Sequence, residues 1–412
     1  MRAGFGISDI TPPLGVELAG YGYYLERKCD SVRDPLHARA VILENEEGRQ
    51  AIVSCELLGL SQEIADAVIA HAAALSCSRD RVMIVSVHTH TGPVVKYHLG
   101  CGEVDPAYVA ALGEKICAAL DRADRDMDQV ASLSFVQAEV PGDYIYNRAA
   151  EDGPVDRNAR GFWIRREKSA PILLASAACH GVFLKCVSCV SADFSGEIHR
   201  IFADQGVQSI YLNGLCGDID PWNSSEERMK EYAKKAAEVL GGESRSLPLT
   251  LSGVRLPFTL RLQTYEKEGI TAAASQAVQK NGGENAPASK VARAWEKEML
   301  SRFDSLKGEE AGDAALCVLG GIPILALPFE GYTGIGVDFR RLIGSEEALV
   351  LGCAEQLRGY LPTRDDFERR SYAALESPFL YRRQPPLPGE AERLAEQLAA
   401  GYQAFVSARQ CS

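Results

Sequence analysis

The sequence lacks long hydrophobic runs, and no apolar stretch among its 412 residues approaches the length of a membrane-spanning helix, about 18 residues. Its N-terminus, MRAGFGISDITPP, also lacks the basic, apolar and small-residue regions of a secretion signal. Together these two absences predict a chain with no integral membrane segment and a cytoplasmic location.

Positive charge is scarce as well, because 44 Lys and Arg residues face 56 Asp and Glu residues and leave a net charge of −12. This balance, with both signs interspersed, excludes nucleic acid and anionic membranes as main partners. A hydrophobic content of 46% and a charged content of 24% are typical of a globular protein with a large core. We expect a small-molecule partner, and the sequence gives no signal of oligomeric state.

The twelve cysteines lack the spacing of a disulfide framework or of a zinc site made from paired cysteines. Many lie inside apolar segments such as AIVSCELLGL and ALCVLGG, which predicts reduced, buried thiols. Cys186 and Cys189 form one CxxC pair, but the second pair that a cysteine-built zinc site needs is absent.

Apolar runs that end in polar residues alternate with segments of helical spacing, which predicts an α/β fold. Asp105 is the expected N-cap of one helix, and Ser224 with Glu227 has the spacing of a capping box on another. Residues 1–412 are predicted to form a single domain. We expect a helical insertion at about 265–313 and a C-terminal helix at about 390–408.

Several apolar runs end in residues that bind metals. Side chains alternate along a strand, so His88 and His90 are expected to face one site, and His180, Asp220 and Glu330 follow other apolar runs. Ligands bind beyond the carboxyl ends of strands in open α/β sheets, and two or three histidines with a carboxylate suit zinc. The alternative is that the histidine pair only caps a loop.

Ten motifs follow one another in the order GFGISDITPP, AGYG, HARAVIL, SVHTHTGP, YNRA, ACHG, ADFSG, NGLCGDIDP, ALPFEG and GYLPT. In this order the chain resembles the neutral/alkaline non-lysosomal ceramidase family over roughly residues 2–377. The resemblance implies that family's catalytic domain, a layered α/β sandwich of mixed β-sheets flanked by helices. It also implies a buried zinc ion and hydrolysis of an amide bond.

The resemblance implies that the metal ligands are His88, His180, Glu330 and Tyr360. It further implies that His90, Arg148 and Tyr372 are active-site groups, and it places a pocket wall at Gly20, Tyr21 and Gly22. His90 or Tyr372 could move a proton, and Arg148 could hold a polar group of the substrate. Two structural alternatives stay open: an ion pair of Arg148 with Asp143 or Asp156, and a packed Tyr372 whose hydroxyl is satisfied.

The chain also departs from the family. Asp220, in GDIDPWN, stands where the family has a serine, and the family's NRS motif becomes NRA. A carboxylate acts as a base or ligand rather than as a hydroxyl donor. The secretion signal and the C-terminal β-sandwich domain of the full-length ceramidases are also missing, so we expect a small, polar substrate other than ceramide.

These observations predict a zinc-dependent hydrolase that cleaves an amide, ester or lactone bond in a small soluble molecule. One alternative keeps the metal but makes the protein an isomerase or lyase of a sugar-like acid, with Asp220 as the base. Another alternative is a binding module that inherited the fold without catalysis. Replacement of Asp220 by Asn separates the first two, because proton abstraction depends on that carboxylate.

Overall fold

The computed structural model describes residues 1–410 and alternates strands with helices along the chain. The strands are β1 (Arg2–Asp9), β2 (Ser31–Val32), β3 (His37–Asn45), β4 (Gly48–Cys55), β5 (Val82–Ser86), β6 (Asp128–Glu139), β7 (Ile145–Asn147), β8 (Asn158–Arg166), β9 (Ile172–Ala177), β10 (Cys189–Val190), β11 (Gln208–Asn213), β12 (Ile219–Pro221), β13 (Arg245–Leu247), β14 (Leu251–Arg261), β15 (Glu309–Leu319), β16 (Ile322–Ala326), β17 (Glu330–Gly331), β18 (Leu349–Leu351) and β19 (Tyr360–Leu361). The helices are α1 (Gln62–Ala74), α2 (Pro106–Arg125), α3 (Asp193–Ala203), α4 (Glu226–Leu240), α5 (Lys267–Lys280), α6 (Pro287–Ser301), α7 (Thr333–Ile343), α8 (Arg364–Glu368), α9 (Tyr372–Leu375), α10 (Ser377–Leu380) and α11 (Glu390–Gln410).

Two mixed sheets carry the fold. The larger has the strand order β11-β9-β8-β6-β1-β3-β4-β5, with β13 beside β6, and the smaller has the order β14-β15-β16-β18. Strands β9 and β11 pair in parallel, as do β4 with β5 and β16 with β18, whereas the other pairs of these two sheets are antiparallel.

Alternating side chains show how the layers stack. In β3, Ala40 and Ile42 pack with residues of α1 and α2, whereas Val41 and Leu43 belong to a core shared with the smaller sheet. In the smaller sheet, Leu316 packs with residues of α7 and α11 on the opposite face. Both faces of each sheet are covered, which explains the continuous apolar runs in the sequence. The layers run helix, sheet, sheet, helix, and the predicted fold class is confirmed.

The larger sheet curls, which brings strands from its two ends together. The hydroxyl of Ser54 in β4 donates to the carbonyl oxygen of Tyr211 in β11 at 2.5 Å. Beyond the strand ends, Thr89 pairs with Gly181 as an isolated parallel bridge, and the backbone N–H of His90 donates to the carbonyl of Gly181 at 3.1 Å. The loops that follow β5, β9 and β11 therefore meet in one place.

Helices α5 and α6 connect the paired strands β14 and β15 and have a small core of their own around Trp295. Helix α11 spans Glu390–Gln410, and residues 411 and 412 of the predicted domain lie outside the described part of the chain. In the described residues, no helix is both long and apolar enough to cross a membrane.

One of the two predicted helix caps is confirmed and one is wrong by a residue. The Asp105 side chain accepts a hydrogen bond from the backbone N–H of Tyr108 at 2.8 Å, as expected of an N-cap. Helix α4, however, is capped by Ser225. The hydroxyl of Ser224 instead donates to the carbonyl of Pro221 at 3.2 Å, which uses it in the preceding turn.

Within residues 1–410 the cysteines are free thiols and most are buried, as predicted. Cys186 is exposed and Cys189 is half-buried, and neither is joined to another cysteine. Cys411 lies outside the described residues.

Candidate metal centre and its cavity

The two histidines of HTHTGP lie beyond the end of their strand. Strand β5 ends at Ser86, and His88 has a φ of 64°, a left-handed conformation that costs a non-glycine residue roughly 1–3 kcal/mol. The strand alternation proposed for His88 and His90 is therefore wrong, because both lie in the loop. The expected result still holds, since the two rings have centroids 5.0 Å apart and line one cavity.

His88 and His180 are oriented by main-chain carbonyl groups. The Nδ1 of His88 lies 2.8 Å from the carbonyl oxygen of Leu58, and that of His180 lies 3.1 Å from the carbonyl oxygen of Ile219. A carbonyl only accepts hydrogen bonds, so each Nδ1 carries a proton. Backbone carbonyls fix the tautomers of metal-binding histidines in the same way, which leaves each Nε2 free to bind a metal.

Both of these Nε2 atoms contact the carboxylate of Glu330. Its Oε2 lies 3.2 Å from His88 Nε2 and 3.4 Å from His180 Nε2, and its Oε1 accepts a hydrogen bond from the hydroxyl of Tyr381. The carboxylate is 2% exposed, and no Lys or Arg of residues 1–410 forms an ion pair with it. Burial favours the protonated acid, but the two histidines hold the pKa of Glu330 well below its ordinary value.

A buried cysteine joins this cluster. One ring nitrogen of His88, one of His180 and the Sγ of Cys216 all lie within 4.8 Å of one another. A contact with Cys353 is the main cause that lowers the pKa of the Cys216 thiol well below its ordinary value, against the effect of burial. Burial likewise opposes protonation of His180, whose pKa Cys216 and Glu330 nevertheless raise to about 10.

Arg148 connects Tyr360 with the loop that contains Asp220. Its Nη2 donates to the Tyr360 hydroxyl at 2.8 Å and to the carbonyl of Gly217 at 3.0 Å, and its Nη1 lies 3.3 Å from Asp220 Oδ1. Tyr360 and Asp220 raise the pKa of Arg148 well above its ordinary value, although burial opposes this. Burial also raises the pKa of Tyr360, which is therefore a neutral phenol.

The alternative ion pairs proposed for Arg148 are absent from the described residues. Asp143 lies 4.0 Å from Arg157, and Asp156 accepts hydrogen bonds from Arg160 at 2.8 Å and Arg340 at 2.9 Å. Asp220 is the carboxylate that pairs with Arg148, because the antiparallel pairing of β7 with β12 places residues 146 and 220 opposite each other. Arg148 is therefore part of the site rather than of a surface ion pair.

His90 is buried, yet neither of its ring nitrogens has a hydrogen-bond partner in residues 1–410. Burial lowers its pKa well below the ordinary value, and the neighbouring His88 and His180 lower it further. Gly20 has a φ of 97°, and a Cβ there would lie 2.4 Å from Cγ of His90. Only glycine lets the chain pass this close to the ring.

A cavity of about 550 Å³ opens onto this cluster. Its walls contain all but one of the predicted site residues: Gly20, Tyr21, Gly22, His88, His90, Arg148, Asp220, Glu330, Tyr360 and Tyr372. His180, the remaining one, is fully buried behind the wall. The volume is within the range of small-molecule sites.

Tyr372 combines both interpretations that the sequence allowed. The residue lines the cavity and is 41% exposed, while its hydroxyl is hydrogen-bonded to Tyr23. Burial of the hydroxyl and the neighbouring Tyr23 raise the pKa of Tyr372 well above its ordinary value.

Sequence reasoning missed several residues of this site, among them Cys216, Tyr381 and His98. Cys216 carried a usable signal, because it follows an apolar strand as the histidines do. His98 lines the cavity wall, with its ring centroid 5.0 Å from that of Tyr381, and no sequence pattern marks either residue.

The fold and the buried cluster can be compared with known proteins. No family model matches the sequence, and no curated protein matches it either. Solved structures do match. The crystal structure of neutral ceramidase from Pseudomonas aeruginosa aligns with 98% of this chain and 74% of its own, at 17% identity and a TM-score of 0.73. A ceramidase complexed with C2 aligns over the same shares, at 16% identity and a TM-score of 0.72.

These similarities define the class of the protein as a layered α/β sandwich. More particularly, the chain has the fold of the neutral ceramidases. The resemblance inferred from the ordered motifs is confirmed at the level of the fold.

Proposed function

We propose that this protein is a zinc-dependent hydrolase that cleaves an amide, ester or lactone bond in a small soluble substrate other than ceramide. The observation that carries the proposal is the convergence of His88 Nε2 and His180 Nε2 on Glu330 Oε2, at 3.2 and 3.4 Å, beside a cavity. The predicted cytoplasmic location is part of this proposal.

The donor set fits zinc. Two nitrogen lone pairs that each lie within 3.4 Å of one anionic oxygen are repelled by it unless a proton or a cation lies between them. Neutral imidazole and carboxylate are the usual ligands of catalytic zinc. Carbonyl groups behind both histidines supply the outer support that such ligands need. His88, His180 and Glu330 would therefore hold the ion, with Tyr360 at the edge of the cluster.

A bound zinc ion would polarise a substrate carbonyl and lower the pKa of water. The protein must then move protons, and His90 is the group best placed to do so. Its unpartnered ring nitrogens lie beside the cluster, with its ring centroid 5.0 Å from that of His88. As a neutral base it would take a proton from the attacking water and return it to the leaving nitrogen or oxygen.

Arg148 acts as a positioning residue in this scheme. Its hydrogen bonds to Tyr360, to Asp220 and to the carbonyl of Gly217 occupy the guanidinium, so it orients its neighbours rather than binding substrate. Tyr360 lines the cavity as a neutral phenol beside a fixed positive charge. It is therefore suited to donate to the negative charge that develops on a carbonyl oxygen.

The experiment compares water-soluble amides, esters and lactones with ceramide as substrates of the purified protein. We expect turnover of a soluble substrate that disappears with a chelator, returns with zinc and is absent in His88→Ala. His71→Ala is the matched control, because His71 pairs with Asp121 on the surface of the protein, away from the cavity. Preference for ceramide, or turnover that ignores chelation, would contradict the proposal.

The position of Asp220 favours the isomerase or lyase alternative as a second candidate. Its carboxylate lines the cavity, with Oδ1 3.6 Å from His180 Nδ1. Mass spectrometry of the products distinguishes the two reactions, since hydrolysis adds one water and isomerisation adds nothing. An isomerase that uses Asp220 as its base would lose turnover in Asp220→Asn, whereas the hydrolase would retain part of it.

A further inference from the structure

Cys216 lies where the buried cluster has room for one more donor. The residue follows β11 in the loop before β12, is fully buried, and has its Sγ within 4.8 Å of one ring nitrogen of His88 and one of His180. Thiolate sulfur is a strong zinc ligand. Among the cysteines of residues 1–410, Cys216 is the one that forms a potential metal-binding group with histidines.

The backbone holds this loop against the segment of Glu330. The N–H of Gly217 donates to the carbonyl of Gly331 at 3.0 Å, and a Cβ at Gly217 would lie 2.4 Å from the Glu330 carbonyl oxygen. Only glycine permits this approach. In addition, the side-chain amide of Asn213 donates to Cys216 Sγ at 3.3 Å, an orienting contact of the kind that supports metal ligands.

The two neighbouring thiols, those of Cys179 and Cys353, are less well placed than Cys216 to bind a metal together with the histidines. Cys179 Sγ lies 3.2 Å from the main-chain oxygen of His180, where it is directed to backbone rather than to the ring. Cys353 contacts Cys216 but forms no such group with the histidines in the described residues. It therefore serves as a matched buried thiol for comparison with Cys216.

Tyr360 is less suited than Cys216 to be a metal ligand. Its hydroxyl oxygen accepts a hydrogen bond from the Arg148 guanidinium at 2.8 Å, which occupies a lone pair and places a positive charge beside it. A metal cation at that oxygen would meet electrostatic repulsion. The hydroxyl also forms a hydrogen bond with the Glu330 carboxylate, so the phenol is already engaged with that side chain and with Arg148.

We propose that Cys216 binds the zinc ion as a thiolate beside His88 and His180, the two histidines with which it forms a potential metal-binding group, in the role that the family resemblance assigned to Tyr360. This inference rests on the proposed zinc-dependent function and deepens it. A thiolate ligand favours zinc over magnesium, calcium and manganese, so the proposal also narrows the choice of metal ion. Zinc expands to five ligands in some transition states, so a fourth protein ligand is compatible with hydrolysis.

X-ray absorption of the zinc-loaded protein tests the assignment without measuring activity. We expect a sulfur scatterer at about 2.3 Å from zinc in the wild type, in addition to nitrogen and oxygen at about 2.0–2.1 Å. The sulfur signal should persist in Cys353→Ser and in Tyr360→Phe and should vanish in Cys216→Ser. If Cys216→Ser does not fold, a sulfur signal that is present in the wild type and persists in Cys353→Ser carries the assignment.

Each contrary outcome has its own meaning. Bound zinc with nitrogen and oxygen neighbours alone would overturn the role of Cys216 while leaving the proposed zinc site intact. A sulfur signal that survives in Cys216→Ser and is lost in Cys353→Ser would overturn the assignment in favour of Cys353. A wild type that binds no zinc would overturn both this inference and the proposed function.

Discussion

Two glutamates of this protein, Glu56 and Glu330, are buried among histidines, yet their surroundings differ in charge. Glu56 follows β4 and has Arg39 as a permanent cation, with Arg39 Nε 3.2 Å from Glu56 Oε1. His37 and His199 complete that cluster, at 3.4 and 3.6 Å from the carboxylate. The protein itself neutralises this buried charge.

Glu330 has the same number of histidines but no arginine or lysine pair in the described residues. Its partners are His88, His180 and the hydroxyls of Tyr360 and Tyr381, and the nearby His90 has two unpartnered ring nitrogens. A buried carboxylate without a permanent cation is costly. The comparison teaches that one cluster is neutralised by the protein's own arginine, whereas the other has the donor set of the zinc site that we propose.

Replacement of glutamate by glutamine should lower zinc affinity strongly at Glu330 and leave it unchanged at Glu56. We expect Glu330→Gln to weaken zinc affinity by more than about 100-fold, because loss of a ligand exceeds the 10–100-fold effect of losing an outer partner. Competition with a coloured chelator measures this affinity. Glu56→Gln is the matched control and should bind zinc as the wild type does; equal zinc affinity in both variants would contradict the difference between the clusters.

Replacement of His90, whose ring nitrogens have no hydrogen-bond partner in the described residues, should have the next largest effect, on the rate of hydrolysis. We expect His90→Gln to lower kcat/KM for hydrolysis by about 10²–10⁴-fold, the usual contribution of a proton-transfer group, with zinc affinity nearly unchanged. Steady-state kinetics and metal analysis on the same samples measure the two quantities. If His90→Gln loses zinc instead, His90 is a ligand and not a base.

Glu56→Gln should act on stability rather than on zinc. It leaves the half-buried Arg39 charge without its buried partner, so we expect a loss of about 3 kcal/mol in the free energy of unfolding of the metal-free protein. Urea unfolding measures it. A change below about 1 kcal/mol, the range of exposed pairs, would show that the Glu56 cluster is not the self-contained ion pair described above.

The pH dependence of unfolding checks the same prediction. Burial alone would raise the pKa of Glu56, but Arg39 and the histidines lower it from 4.5 to about 2. The stabilisation is therefore complete above pH 4.5 and declines as the pH falls toward 2. The difference between wild type and Glu56→Gln should shrink over this interval, and a difference that grows on acidification would have the wrong sign.

The smallest expected effect concerns the outer support of Glu330. We expect Tyr381→Phe to weaken zinc affinity by about 10-fold, because the hydroxyl that orients Glu330 Oε1 is removed while the ring is retained. Competition with a coloured chelator again measures the zinc affinity. A loss as large as that in Glu330→Gln would indicate that Tyr381 itself binds the metal.

Placement at strand ends made part of the site predictable from sequence. His88, His180 and Glu330 each follow an apolar run, and such ends converge in layered sheets. Cys216 follows a strand as well, but a cysteine beside an apolar run looks like a core residue. Its strand-end position was therefore a usable but weak signal, and the proximity of Cys216 to His88 and His180 is seen only in the folded chain.

Other features depend on packing that no local pattern encodes. Tyr381 lies beyond the segment that carries the ordered motifs and reaches Glu330 only through the folding of residues 372–380. The left-handed turn at His88 replaced the expected strand alternation. Ser224 and Ser225 are both good N-caps, and the turn after Pro221 decided between them.

Anomalous diffraction from crystals of the zinc-loaded protein, recorded on both sides of the zinc absorption edge, tests the central claim most directly. The account predicts a single strong peak among His88, His180 and Glu330 and no peak at Glu56. Absence of density at the first cluster in zinc-saturated crystals, or a stronger peak beside Glu56, would contradict it.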